Sequence, residues 1–485
     1  MMVKTYDAII IGGGVVGSAI ARELSRYQLD IAVLEKENDV CCATSGHNSG
    51  VLHAGYNNRP GSKMARLCVA GNAGFDQVAA ELDIPFRRTG KLVIGFDGDD
   101  LRQLKRLKQQ GQDNGCRGLC IVGRDRIKEL IPDVQGEYAL YSPNTGVLDP
   151  FQLTIGLAEN AHHNGVRYLF GQQVTAIRRQ EGLYHIQTTR GWFVSRWVIN
   201  SAGLYSDRIA NMLGVEGYQI NPCRGEYFIL DQRIGYLLPL PAYPVPNEHS
   251  GGLGIHLTPT VDGNIMIGPS ADYIDQRDDY AVTRPVMDML LEEGSRIFPL
   301  LRREHFIRNF AGIRPKLTGP GCGGFHDFVI ECAPQAPNTV NLIGIESPGL
   351  TASTPIAREV VQLIGERERL EEKCDFDPLR RRPPRLRELS VDEQQQMIRE
   401  NPDYGQVICR CELISKAEVM AAINNPLGVR TMTGIKYRCR SMMGRCQGGY
   451  CQTRIAEMLL EKQGGAYDQL LYHHDGSNLF YGRVR

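Results

Sequence analysis

The 485-residue chain is predicted to be an α/β protein whose nucleotide-binding domain is followed by a small, mostly helical C-terminal module. Three observations predict this. A strand–glycine turn–helix–strand pattern opens the chain, a charged, proline-bearing stretch runs from 379 to 396, and five of the fourteen cysteines fall between Cys409 and Cys451. The length calls for two or three domains rather than one core. Apolar content of 42%, charged content of 23% and 53 glycines describe a globular chain. With a formal net charge of zero, it offers no basic field to nucleic acid and no polybasic patch to anionic lipid. No apolar run is long enough to span a bilayer, and the opening "MMVKTYDAIIIGGG" lacks a secretion-signal pattern. A cytoplasmic protein is expected, with clustered thiols reserved for metal or redox work.

The segment "YDAIIIGGGVVGSAIARELSRYQLDIAVLEKE" carries the nucleotide site. Ala8 to Ile11 has the length of a buried parallel strand. Gly12, Gly14 and Gly17 form GxGxxG: the first allows the tight turn, the second lets backbone approach a pyrophosphate, and the third lets helix and strand pack closely. The helix start presents free N–H groups and a positive dipole end to phosphates. "IAVLE" then ends in Glu35, eighteen residues past Gly17, placed to accept from a ribose diol.

The polar, glycine-rich loop "ATSGHNSGVLHAGYNN" (43–58) is longer than NAD alone requires, and no second GxGxxG follows. Together with "INSAGLYSDRIA" (199–210), "CRGEYFIL" (223–230), "GIHLTPTVDGNIMIGPSA" (254–271), "AGIRPK" (311–316) and "GIESPGLTAS" (344–353), it resembles the FAD-dependent glycine/D-amino-acid oxidase (DAO) superfamily. The resemblance covers most of residues 5–365. It implies an FAD-binding domain of the glutathione-reductase type, formed by residues 1–80, 145–215 and 315–370. An antiparallel-sheet substrate domain, 81–144 and 216–314, is interleaved with it. FAD contacts are expected from Gly12, Gly14, Gly17, Glu35, Thr44, Ser45, Asn48, Ser49, Gly203, Gly312, Gly349, Leu350 and Thr351. Pro348-Gly349 breaks a strand and starts the helix "TPIAREVVQLIGE", whose N-terminal dipole suits the negative charge of a reduced flavin.

Oxidation of a carbon bearing OH or NH needs a hydride acceptor, a base and, for an anionic substrate, a cation. The resemblance implies Arg314 as the cation, a role suited to a forked guanidinium, with Lys316 assisting. His53, in the loop expected beside the isoalloxazine ring, and His256, in the expected substrate sheet, are both candidates for the base. Tyr56 and Arg224 are expected to line the pocket.

"LRRRPPRLRELSVDEQQQ" reads as a solvated linker within 371–400. Beyond it come Cys409-x-Cys411 and, thirty-four residues later, Cys446-x4-Cys451, with Cys439 between. A disulfide does not suit a reducing compartment. Structural zinc usually takes C-x2-C pairs, whereas a [2Fe–2S] cluster needs four thiolates and tolerates varied spacing. "VICRCE" and "CRSMMGRCQGGYC" resemble the bacterioferritin-associated-ferredoxin-like (BFD-like) [2Fe–2S] domain, placed at 401–470 with a tail at 471–485. That resemblance implies Cys409, Cys411, Cys446 and Cys451 as ligands and leaves Cys439 over.

Flavin domain, linker and iron–sulfur module in this order resemble the anaerobic-type glycerol-3-phosphate dehydrogenases. The resemblance implies hydride transfer from a small anionic substrate to FAD and one-electron exit through the cluster to a protein partner, such as a second flavoprotein or membrane-associated subunit, or to quinone. Any contact with the inner membrane would then run through that partner. "RGEY" and the loop at 47–55, "HNSGVLHAG", resemble L-2-hydroxyglutarate dehydrogenases equally well. An L-2-hydroxy acid is therefore the second substrate class, an amino acid or opine-type amine the third, and a non-catalytic electron-transfer subunit the alternative from another class.

Overall fold

The computed structural model describes residues 4–246, 254–322 and 325–482, and the opening strand organises its first domain. Thr5–Ile11 is buried throughout Ala8–Ile11 and has parallel neighbours on both sides, Ile31–Leu34 and Gly191–Asn200. A strand covered on both faces explains the continuous apolar run. The helix Val15–Leu24 packs Ala19, Ile20, Ala21 and Leu24 against the helices Pro150–His163 and Gly349–Gly365. Full burial of Ile20 and Leu24 stabilises this contact by roughly 1.5–3 kcal/mol each. Among the described residues the sheet has eight strands. Thr339–Ile343 joins in parallel beside the C-terminal half of Gly191–Asn200, while Leu183–Thr188 runs antiparallel along its N-terminal half. The carboxyl ends of the parallel strands therefore converge, which is where α/β sheets bind ligands.

A second sheet, of nine strands among the described residues, lies over that edge. Its spine is the antiparallel pair Asn221–Leu230 and Phe306–Lys316, with Cys223 opposite Arg314 and Gly225 opposite Gly312. Leu92–Gly95, Cys120–Gly123 and Tyr138–Tyr141 extend it, joined through the short strand Ala242–Pro244 to His256–Pro259. The helix Arg284–Ile297 covers one face, and residues of the spine and of the His256 strand line the cavity described below. This is the mixed architecture expected from the sequence.

The C-terminal module places the helices Lys416–Ile423, Met432–Cys439 and Gln452–Gln463 around Ile414, Val419, Met432, Ile435, Ile455 and Leu459. Ser415 and Glu418 form a reciprocal capping box at its first helix, which sets the chain direction just after the first cysteine pair.

The stretch read as a solvated linker is an ordered arginine strap. Arg380 pairs with Glu159 at 2.8 Å, Arg382 with Glu388 at 2.6 Å, and Arg387 with Asp262 at 2.6 Å and Glu412 at 2.9 Å. Arg385 is 5% exposed and also reaches Asp262. Arg440 of the module meets the same carboxylate at 2.6 Å. Three guanidiniums thus converge on one buried aspartate, and charge that looked solvated is spent on joining the domains. On the other side, the Gln152 side-chain amide donates to the carbonyls of Tyr437 and Arg438, Arg438 pairs with Asp39, and Phe151 stacks on Tyr437 with ring centroids 4.0 Å apart.

Candidate active site and metal centre

A single cleft of about 840 Å³ runs from the first glycine turn to the inner face of the second sheet. At its nucleotide end Gly12, with φ of +110°, could not carry a side chain: a Cβ would lie 2.6 Å from the Ser201 carbonyl oxygen. A Cβ on Gly17 would lie 2.0 Å from the Gly12 carbonyl oxygen, so this glycine serves packing. Gly14 begins the first helix without any side-chain cap, and no carboxylate occupies its first turn. The Val15 amide donates to Ser45 Oγ at 2.9 Å, tying the second loop to the helix start. Glu35 accepts from the Gly13 and Glu37 amides at 2.6 and 2.9 Å. Burial nonetheless pushes its carboxyl above the usual range, and each oxygen keeps a lone pair for a ribose hydroxyl. An uncapped helix start, a glycine cradle and an acceptor at the second strand fit a dinucleotide such as FAD.

Thr44, Ser45, Asn48, Ser49, Gly203, Gly312, Gly349 and Leu350 line the same cleft. Gly312 admits the His47 carbonyl oxygen, which would lie 1.9 Å from a Cβ there. Thr351 lies behind the lining, where its Oγ1 accepts from the His53 amide at 3.0 Å. The helix Gly349–Gly365 also starts without a side-chain cap and points that end into the cleft.

His53, His256 and Arg314 come together at the far end. The His53 carbonyl accepts from Asn72 and its ring Nε2 lies 3.4 Å from Ser347 Oγ. His256 Nδ1 lies 2.8 Å from the Gly254 carbonyl, which fixes Nδ1 as the donor and leaves Nε2 an acceptor, buried and unpartnered. Both imidazoles are held neutral: burial pushes His256 down to about 3 and His53 well below its ordinary value. Arg314 donates to the Ser270 carbonyl at 2.5 Å and more weakly to that of Cys223 at 3.5 Å. Among the described residues it has no carboxylate ion pair, so a cation faces the cleft with hydrogen-bonding capacity left.

Three residues expected at the pocket lie elsewhere. Lys316 is 1% exposed and pairs with Glu346 at 3.0 Å beneath the Glu346–Gly349 turn. Arg224 pairs with Asp279 at 2.7 Å and Glu226 at 3.4 Å. Tyr56 is buried in an apolar cluster and does not reach the cleft.

Sequence reasoning missed Lys91, Tyr243 and Thr258. Lys91 Nζ sits 3.9 Å from the Tyr243 ring centroid and 4.8 Å from that of Tyr56, and burial lowers it to about 7. Tyr243 stacks on His256, and Thr258 stands two residues past it on the same strand. His473 and His474 of the tail also line the nucleotide half of the cleft. No local pattern announces them; they arrive by long-range pairing.

In the C-terminal module the four proposed ligands form two pairs, Cys409 with Cys451 and Cys411 with Cys446. Among the described residues no three His, Cys, Asp or Glu side chains are grouped to hold one ion. These four cysteines supply the four thiolates that a [2Fe–2S] cluster needs. Backbone amides of Glu412 and Met442 point at Cys409, and those of Gly448 and Tyr450 at Cys446. Leu413, Arg440, Met442 and Gln447 adopt left-handed φ, four of the eight non-glycine residues that do so among those described. The backbone is bent out of its preferred region around these thiols. Cys439 is buried, 3.3 Å from both the Ile435 carbonyl and Ser441 Oγ, and stands apart from the pairs.

The family described as DAO, FAD dependent oxidoreductase, matches residues 7–363. The chain belongs to the DAO family of FAD-dependent oxidoreductases. A BFD-like [2Fe-2S] binding domain matches residues 407–461, and FAD and a [2Fe–2S] cluster are accordingly the cofactors of this flavoenzyme. It is 37% identical over 483 residues to a glycerol 3-phosphate dehydrogenase of Caloramator mitchellensis, covering 99% of both chains. It is also 35% identical over 312 residues to the mitochondrial L-2-hydroxyglutarate dehydrogenase of Nematostella vectensis, covering 60% of this chain and 68% of that one. Among solved structures it is similar to L-alpha-glycerophosphate oxidase from Mycoplasma pneumoniae with FAD bound, at a TM-score of 0.72 and 29% identity. That match covers 79% of this chain and 100% of the oxidase. A glycine oxidase from Geobacillus kaustophilus shares the fold at a TM-score of 0.67 and 22% identity. Among the described residues no helix is long and apolar enough to cross a membrane.

Proposed function

We propose that this flavoenzyme oxidises glycerol 3-phosphate to dihydroxyacetone phosphate and passes the electrons singly through its iron–sulfur module to a protein partner or quinone. The observation that carries the reading is Arg314, a half-buried guanidinium without a carboxylate partner among the described residues, facing the same cleft as two neutral imidazoles. FAD, when bound, supplies the acceptor for a hydride. The chain supplies the rest. Arg314 would hold the phosphate by charge-assisted hydrogen bonds. His53, anchored through its backbone to Thr351 and Asn72, would take the hydroxyl proton. His256, whose Nε2 can only accept, would orient a second substrate hydroxyl. Burial holds both imidazoles neutral, and Lys91 behind Tyr243 adds to that effect when it is charged.

An L-2-hydroxy acid is the second reading. The similarity to an L-2-hydroxyglutarate dehydrogenase over 312 residues favours it, since a carboxylate would satisfy Arg314 equally well. An amine substrate and a non-catalytic role find no comparable support. Anaerobic mixing of the FAD-loaded protein with glycerol 3-phosphate, L-2-hydroxyglutarate and amino acids separates these readings. Bleaching of the flavin band by glycerol 3-phosphate at the lowest concentration supports the first, and failure of every substrate to bleach it would remove the dehydrogenase.

A further inference from the structure

We propose that the exposed Cys411–Cys446 edge of the iron–sulfur module is a docking face for an acidic, one-electron carrier protein, with Arg410 and Arg454 as its cationic anchors. The inference rests on the proposed role of the cluster as electron exit and adds where that exit lies and what fits it.

The two thiol pairs are unequal. Cys409 and Cys451 are buried in the module core, whereas Cys411 and Cys446 are exposed. A cluster held by these four residues therefore has one pair of ligands at the surface, and electron transfer to another protein requires close approach at that side. The rim there is apolar and cationic. Leu413 is 56% exposed, Val407 is exposed in the strand leading to Cys409, and Tyr450 is exposed next to Cys451. Arg410 and Arg454 both lie over the Tyr450 ring, 4.3 and 5.0 Å from its centroid, which holds two guanidiniums on one aromatic platform. Neither has a carboxylate partner among the described residues. Arg445, next to Cys446, reaches Asp231 at 3.4 Å and is the one rim arginine already neutralised.

Among the described residues no carboxylate pairs with Arg410 or Arg454, although the exposed Glu457 stands three residues past Arg454 on the same helix. From Val407 to Ala456 the sequence holds two acidic residues, Glu412 and Glu418, and both are buried. Glu412 is taken by Arg387 and Arg440, and Glu418 by the Ser415 capping box. In a chain whose formal net charge is zero, the surplus of arginine at this edge is a local feature. A cluster on four thiolates is itself anionic and would repel an acidic carrier unless cations flank the approach. Aromatic and arginine side chains around a small apolar centre are also the composition of protein-binding patches. Each encounter would move one electron from the reduced cluster to the carrier's oxidised centre, with no atom transferred and no bond broken. An anionic membrane is disfavoured because the edge offers two unpaired arginines rather than a polybasic cluster.

The test uses the holoprotein, with FAD and cluster loaded, and an acidic flavodoxin as probe. Cluster oxidation by the probe is followed by stopped flow after dithionite reduction, and binding of oxidised probe is measured by calorimetry. The expected rate falls by about tenfold as salt rises from roughly 0.05 to 0.5 M, because steering by exposed charge is screened over this range. The double variant Arg410→Glu/Arg454→Glu should lose about tenfold in rate at low salt and lose calorimetric binding, with the cluster's electron paramagnetic resonance signal and midpoint potential unchanged. Arg410→Lys/Arg454→Lys should retain most of both. If the reversal variant fails to assemble its cluster, Arg410→Gln/Arg454→Gln is used with the same readouts, and about threefold loss is expected. Three results would overturn the proposal: equal probe rates in parent and variant, a shift in potential that accounts for the whole rate change, or binding to phosphatidylserine vesicles with none to flavodoxin. Dithionite reduction bypasses the substrate, so a failure of substrate to reduce the cluster counts against the proposed function and not against this surface.

Discussion

His256 and Tyr243 stack face to face, ring centroids 3.6 Å apart, and Lys91 lies on that same tyrosine, 3.9 Å from its centroid. An imidazole and a phenol thereby line the cleft, with an ammonium packed behind them. The arrangement costs desolvation that the fold must offset elsewhere, which is the usual mark of a wall built for a charged ligand.

Lys91 makes that cost measurable. Its ammonium faces Tyr56, Tyr243, Cys68, His53 and His256, with no carboxylate among them. Its folded value, about 7, lies below that of an unfolded lysine, so between these values the unfolded chain binds more protons and stability rises with pH. Lys91→Met removes the titration. The variant should exceed the parent in melting temperature at pH 7, and the difference should shrink as pH rises toward 10. A constant difference across that range would contradict a buried, uncompensated ammonium.

Arg314→Leu should raise KM for an anionic substrate by about 10–100-fold, the loss expected for one or two charge-assisted bonds in a buried site. Steady-state kinetics with matched flavin content checks this. An unchanged KM would take Arg314 out of the site.

The two imidazoles should separate kinetically. His53→Asn is expected to slow single-turnover flavin reduction by about 10²–10⁴-fold, while His256→Asn should act more on KM. Because the histidines are neutral well below their ordinary range, kcat/KM should show no acid limb near pH 6.5. An inflection there in the parent would place the base elsewhere.

For the metal centre, Cys409→Ser and Cys451→Ser should lose most iron and sulfide, and Cys439→Ser should retain both. Elemental analysis of anaerobically purified protein decides it. Stoichiometric zinc without iron would contradict the cluster.

Asp262→Ala would leave Arg385, Arg387 and Arg440 without their shared counter-charge. Breaking a buried pair costs about 3–5 kcal/mol. Limited trypsin digestion should then cut rapidly within 379–387, and equal resistance in parent and variant would deny the strap its joining role.

What was legible beforehand was local. Gly12, Gly14, Gly17 and Glu35 declare a nucleotide site because strand, turn and helix stand next to one another in the chain, and the four cysteines declare themselves by pairing in short motifs. What misled was charge whose partner lies far away. Lys316 reads as a pocket cation until Glu346 is seen beside it, Arg224 until Asp279 is, and the arginines of 380–387 as solvated until Glu159, Asp262 and Glu412 close on them. Lys91 and Tyr243 were invisible for the converse reason. Lys91 stands just before one strand and Tyr243 within another, both of ordinary composition, and only the parallel pairing of Leu92–Gly95 with Ala242–Pro244 brings them together.

The most direct measurement is an anaerobic titration of the fully loaded protein with glycerol 3-phosphate, following flavin absorbance and the cluster's paramagnetic signal together. Bleaching of the flavin followed by appearance of the reduced-cluster signal is the predicted result. A flavin that stays oxidised in saturating glycerol 3-phosphate, or one that bleaches while the cluster never accepts an electron, would contradict it.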